Sequence, residues 1–163
     1  IINGVPDWTY EEEFMVESSM VWSPDNLTLC FIKYNETDVK TYSFPLYGGV
    51  YNKDVDKELY PGQYTYKYPK SGGQNTKASV YSYDVETRKI KNIPLNTAQI
   101  EYIPRISYTN NPNMLIIATL NRNQNRLELL SANPKTTIVK SLYVDESKTW
   151  IEDVCYNNIK YNP

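Results

Sequence analysis

Along most of the chain, apolar side chains recur at every second position in short runs, and turn-forming residues separate one run from the next. MVESSMVW (15–22) and LTLCFIKYN (27–35) flank SPDN, with proline at the second position of a type I turn. VKTYSF (39–44), YTYKY (64–68), ASVYSYDV (78–85) and RKIKNIPL (88–95) continue the alternation. IPRISYT (103–109), MLIIATLN (114–121), RLELLSAN (126–133) and TTIVKSLYV (136–144) complete it, with NRNQN and ANPKT as hairpin turns. No stretch of a dozen residues carries a helical period, so the pattern predicts an all-β chain.

The runs also group. A turn rich in Asn, Pro and Asp (22–26, then 108–113) precedes an apolar strand and further hairpin strands. Four antiparallel strands joined as a meander make a β-propeller blade. The expected organisation is a propeller fragment of about two four-stranded blades plus the start of a third. A motif segment (1–14) leads into one blade (15–95) and a second (96–145), and 146–163 open the next. A long insertion, 45–76, interrupts the first blade and is rich in glycine, proline and tyrosine. A β-sandwich also spaces its strands evenly, so spacing alone leaves both architectures open. The chain opens at Ile1 without methionine and reads as a segment of a longer protein.

Composition narrows the chemistry. Sixteen tyrosines against three phenylalanines suit short strands with one wet face. A net charge of −2 with scattered basic residues gives no electrostatic footprint for nucleic acid. The absence of histidine excludes a Ser-His-Asp triad, a Cys-His pair and the common His-containing zinc sites within these residues. No cofactor motif appears. Cys30, inside LTLCFI, reads as a small buried hydrophobe, and nothing in the sequence supports a disulfide to Cys155.

DWTYEEEF (7–14) is the chemical anomaly: three adjacent glutamates framed by Trp8, Tyr10 and Phe14. Asp7 suits a helix N-cap, and acids near the first turn complement the helix dipole. A helical turn sets Glu12 and Glu13 about 100° apart, so both carboxylates can converge on one compact cation. A solvated, capped surface turn is the plain alternative.

The run Asn3-Gly4-Val5-Pro6-Asp7-Trp8-Thr9-Tyr10-Glu11-Glu12-Glu13-Phe14, followed by Trp22-Ser23-Pro24-Asp25, resembles the N-terminal β-propeller domain of the dipeptidyl peptidase IV family of serine exopeptidases. Tyr66-Lys67-Tyr68-Pro69-Lys70 with Gly72-Gly73-Gln74-Asn75 is similar to the family's Y-x-Y-P-K-x-G-x-x-N signature, and Ser43-Phe44-Pro45-Leu46-Tyr47 lies between the two as expected. The motif resemblance covers roughly residues 1–95.

The resemblance implies that Glu12 and Glu13 grip the free α-ammonium of a peptide substrate. Asp7, Trp8, Tyr10 and Glu11 then support them. Such a pair would act as a ruler for removing N-terminal X-Pro or X-Ala dipeptides, each charged hydrogen bond contributing about 1.5–3 kcal/mol. The resemblance places the serine, aspartate and histidine of the triad on a C-terminal α/β-hydrolase domain. No G-x-S-x-G motif occurs in these residues, so the segment is expected to be inactive alone. It further implies a homodimer contact through residues 42–68, completion by the remaining blades, and a periplasmic or outward-facing location. Arg105, Arg122 and Arg126 read as structural or surface residues. The alternative is a non-catalytic peptide- or protein-binding propeller of the same family.

Overall fold

The computed structural model describes residues 1–47 and 61–161. In chain order it contains β1 (Ile2–Asn3), α1 (Trp8–Glu13), β2 (Met20–Trp22), β3 (Thr28–Asn35), β4 (Thr41–Leu46) and β5 (Gly62–Lys67). Then come β6 (Lys77–Asp84), β7 (Lys89–Ile93), β8 (Tyr102–Tyr108), β9 (Leu115–Leu120), β10 (Arg126–Ala132), β11 (Val139–Glu146) and α2 (Val154–Asn157). The all-β expectation holds. Strands β8 to β11 form a four-stranded antiparallel meander, and β3, β6 and β7 form a second sheet whose outer edge is shared by β1 and β2. Both sheets remain open, as two blades of a propeller do before the ring is closed.

Alternation decides which faces pack. Along β3 every second residue is buried, which places Thr28, Cys30, Ile32 and Tyr34 inward. All of β9 is buried, because it lies mid-sheet and both its faces are covered. One core runs through both sheets: Ile32, Val80 and Ile93 from the first join Ile103, Leu115, Ile117 and Leu127 from the second. Polar ties cross the same junction. Ser82 Oγ donates to the Pro134 carbonyl at 2.8 Å, and the Cys30 thiol lies 3.2 Å from the Tyr108 hydroxyl.

Two sequence expectations are corrected. MVESSMVW shrinks to Met20–Trp22, because residues 15–19 do not continue the strand and Met15 takes a left-handed backbone with φ 52°. Instead β1 and β2 are two halves of one edge strand. Ile2 and Asn3 pair with Tyr34 and Lys33, and Met20 to Trp22 pair with Phe31 to Leu29. At the break both Gly4 and Ser19 face Ile32. The Gly4 amide donates to the Ile32 carbonyl (2.8 Å), the Ile32 amide to the Ser19 carbonyl (2.9 Å), and the Ser19 amide to the Gly4 carbonyl (3.1 Å). Residues 5–18 therefore loop out through a closed neck and carry α1. Gly4 is required there: its φ is +70°, and an added Cβ would run into the Met20 side chain.

The second correction concerns the insertion. The strands predicted at 39–44 and 64–68 do not join the blade but pair with each other from Thr41 onward: β4 and β5 form a two-stranded hairpin arm with Tyr42 opposite Tyr66 and Phe44 opposite Tyr64. Every residue of β4 is exposed. Residues 48–60 of the predicted insertion lie outside the described residues.

Candidate functional site

The helix that carries the glutamates is short, so its position depends on contacts at both ends rather than on propensity. Asp7, 5% exposed, caps it: the Tyr10 amide donates to Asp7 Oδ1 at 3.0 Å. The other carboxyl oxygen of Asp7 accepts the hydroxyl of Thr76, itself buried. That bond fastens the helix to the end of the YPKSGGQNT segment, so the two separated motifs meet in space.

The helix face opposite the solvent is aromatic. Tyr10 is fully buried, its hydroxyl accepts the Ile103 amide at 3.0 Å, and its ring meets Phe14 at 5.3 Å and Tyr34 at 4.8 Å. Burial pushes the Tyr10 phenol well above its usual value, so it stays protonated. Phe14 lies 5.3 Å from Tyr102 and 6.5 Å from Tyr156 of α2. Trp8 leans on Tyr68 at 4.2 Å, which joins the start of the helix to the root of the hairpin arm. With Tyr10 and Phe14 holding the inner face, Glu11, Glu12 and Glu13 all point to solvent.

Only Glu11 occupies the first turn of α1. Glu12 and Glu13 sit at its carboxyl end, where the helix dipole gives a carboxylate no support. Dipole complementarity therefore accounts for Glu11 and leaves the other two unexplained. Among the described residues none of the three pairs with a lysine or arginine. Their electrostatic neighbours are phenols. The charge of Glu12 adds to the upward displacement of the Tyr66 hydroxyl, caused first by burial, and Glu13 does the same at Tyr102. No group of three or more metal-ligating side chains occurs among the described residues.

Sequence reading missed the bracket that stands behind this helix. Asn75 Nδ2 donates to Glu101 Oε1 (2.9 Å) and to the Tyr102 hydroxyl (2.8 Å). Arg122 donates from Nη1 to the same Glu101 oxygen (2.7 Å) and from Nη2 to the Gly73 carbonyl (2.7 Å). Asn75 belongs to a quoted motif, but nothing in the sequence pairs it with Glu101 or Arg122. Of the other arginines named in the sequence analysis, Arg105 donates to the Asn157 carbonyl at 2.5 Å, and Arg126 bridges Glu128 and Glu146.

Comparison with known proteins agrees with this arrangement. A family model described as the dipeptidyl peptidase IV N-terminal region matches residues 1–160. The chain is 34% identical over 158 residues to a venom dipeptidyl peptidase 4 of Vespa velutina and 31% identical over 157 residues to that of Vespula vulgaris. Each alignment covers 93% of this chain and 20% of the relative, so the chain spans about a fifth of the length of the relatives it matches. The crystal structure of Porphyromonas gingivalis dipeptidyl peptidase 4 superposes with a TM-score of 0.83 at 38% identity, over 93% of this chain and 20% of that one. With the motifs joined in space, the two blades in order and the match running nearly end to end, the chain belongs to the N-terminal region of the dipeptidyl peptidase IV family.

Proposed function

We propose that this chain is the substrate-recognition part of a dipeptidyl peptidase IV-like serine exopeptidase, and that Glu12 and Glu13 grip the α-ammonium of a peptide with a free N-terminus. The observation that carries the reading is the placement of the two carboxylates. Both lie exposed at the unsupported end of a helix that Asp7 and Tyr10 anchor in the interior, and among the described residues neither forms an ion pair with a lysine or arginine. An ammonium is a compact cation with three donors, suited to two converging carboxylates. The bond-breaking serine, with its aspartate and histidine, belongs to an α/β-hydrolase domain of the parent chain, and further blades cover the open sheet edges. The product is an N-terminal dipeptide ending in proline or alanine.

The hairpin arm serves a second purpose in this reading. Tyr42, Phe44, Leu46 and Tyr64 are all more than a third exposed, and aromatic side chains of this kind are enriched at protein interfaces. The arm contributes to a homodimer contact of the parent protein.

The test uses the parent protein on an X-Pro chromogenic amide, comparing wild type with Glu12→Gln and Glu13→Gln on free-amine and N-acetylated substrates. Because both carboxylates are exposed here, solvent moderates each contact, and each substitution should lower kcat/KM on the free amine about ten- to hundredfold. The N-acetylated substrate should be hydrolysed poorly by all three. Full activity in both variants would reduce the glutamates to a surface turn. Absence of cleavage by the wild type would turn the reading to the non-catalytic binding propeller.

A further inference from the structure

Asp7 caps the glutamate helix and accepts the hydroxyl of buried Thr76, and Thr76 directly follows Asn75 in the chain. The segment that carries Asn75 and Thr76 belongs to the first blade, yet it is tied to the second. Asn75 Nδ2 donates to Glu101 Oε1 at 2.9 Å and to the Tyr102 hydroxyl at 2.8 Å. Arg122, in the turn between β9 and β10, donates to the same Glu101 oxygen and to the Gly73 carbonyl, both at 2.7 Å. One guanidinium therefore grips the glycine turn directly with one nitrogen and steadies Asn75 through Glu101 with the other. Every link from Arg122 to the helix is a hydrogen bond or a peptide bond, running through Glu101, Asn75, Thr76 and Asp7 to the Tyr10 amide. As an ion pair the contact adds little to stability, because the Arg122 side chain is 43% and the Glu101 side chain 32% exposed and solvent screens them. What the planar fork supplies is direction: it fixes two acceptors relative to each other, which the point charge of a lysine does not.

We propose that Arg122 is a positioning residue for the amine clamp: through Glu101, Asn75 and Thr76 it fixes the Asp7 end of the helix, and with it the direction in which Glu12 and Glu13 meet the substrate ammonium. This inference rests on the amine-clamp reading above. A helix of six residues does not hold its own place, so its orientation is inherited from its anchors. Tyr10 and Phe14 hold the inner face, and the relay from Arg122 sets the tilt about that face. With the fork gone the buried rings stay packed, but the two carboxylates lose their common alignment. The effect falls on amine recognition and leaves the nucleophilic step alone.

The experiment compares kcat/KM of the parent protein on a free-amine X-Pro amide with that on its N-acetylated form, because the ratio of the two reports amine recognition and is blind to the fraction of enzyme that is active. The variants are Arg122→Met, Thr76→Val, the two together, Glu101→Ala, Glu101→Gln and Glu13→Gln. Arg122→Met should lower the ratio about three- to tenfold through KM on the free amine, with kcat within about twofold and the melting temperature nearly unchanged. Glu101→Gln, which keeps an oxygen for both donors, should retain most of the ratio that Glu101→Ala loses. The double variant should be no worse than the more damaged single, because both substitutions break one relay. Thr76→Val and Glu101→Ala interrupt the same relay elsewhere, so they stay informative even if Arg122→Met fails to fold. An unchanged ratio in Arg122→Met beside a lowered one in Glu13→Gln overturns the positioning role and leaves the clamp standing. Losses that multiply in the double variant, or activity that falls alike on both substrates, overturn it as a structural effect. An unaffected Glu13→Gln overturns the clamp and this inference together.

Discussion

Asp7→Ala should loosen the glutamate helix far more than its single cap would suggest. The carboxyl serves two partners from inside the protein: the Tyr10 amide, and the hydroxyl of Thr76 on the far motif. Loss of an N-cap costs about 1 kcal/mol. The Thr76 hydroxyl, 3% exposed, is then left without its acceptor, which adds about 1–3 kcal/mol. A sum of about 2–4 kcal/mol corresponds to about 30- to 700-fold in the local opening equilibrium. Native-state hydrogen exchange, read by mass spectrometry on peptides spanning residues 8–14, measures that equilibrium directly. Thr76→Val should accelerate exchange more modestly, since it keeps the cap. In Asp7→Ala/Thr76→Val the stranded hydroxyl is gone, so the pair should exchange about tenfold more slowly than the product of the single effects. Strict additivity, or less than threefold acceleration in Asp7→Ala, would show that the two motifs are not joined through this carboxyl.

Three further outcomes follow from the same geometry. Gly4→Ala forces an L-residue into a left-handed backbone and presses on Met20, a combined cost of about 2–4 kcal/mol that a urea midpoint would register, and a cost under about 0.5 kcal/mol would mean the neck relaxes freely. Iodoacetamide footprinting at pH 8 should label exposed Cys155 within minutes and spare Cys30, which is buried and whose thiol burial pushes up to about 11, until the protein is denatured; equal labelling would contradict the packed Cys30–Tyr108 contact. Burial holds the phenols of Tyr10, Tyr34 and Tyr108 above their ordinary value, so stability is fully present below about pH 10, where the unfolded chain is still protonated, and is lost as pH rises beyond it. Ultraviolet titration should show these phenols ionising only with unfolding, and their smooth ionisation in the native protein near pH 10 would contradict the burial.

The strands were largely legible because each has one buried face and alternation reports it. Thr28–Asn35 and Lys77–Asp84 fall within a residue of their sequence boundaries. Alternation misled at 15–22, where Met15, Val16 and Val21 mimic a strand although the backbone turns at Met15. The two-residue β1 carries no pattern at all, and its place follows from its partner β3. At the site, the cap and the aromatic support of DWTYEEEF were readable because they are local. The carboxyl-end position of Glu12 and Glu13 depended on where a six-residue helix begins, which a boundary shift of one residue changes. The Asn75–Glu101–Arg122 bracket was invisible, since its members are separated by up to 47 residues and each alone is an ordinary surface residue.

The closed neck at Gly4 and Ser19 has a consequence for how such a protein can change. Three backbone hydrogen bonds complete the sheet across the base of the 5–18 loop, so the two half-strands keep their pairing to β3 whatever lies between them. The glutamate helix is in effect a cassette seated in a socket that the blade finishes by itself. Its length and surface chemistry can be exchanged while the ladder beneath stays in register, provided that glycine holds the entrance and a large aromatic plugs the core. A lineage can in this way alter what the helix presents to solvent without first having to solve the folding of the blade again.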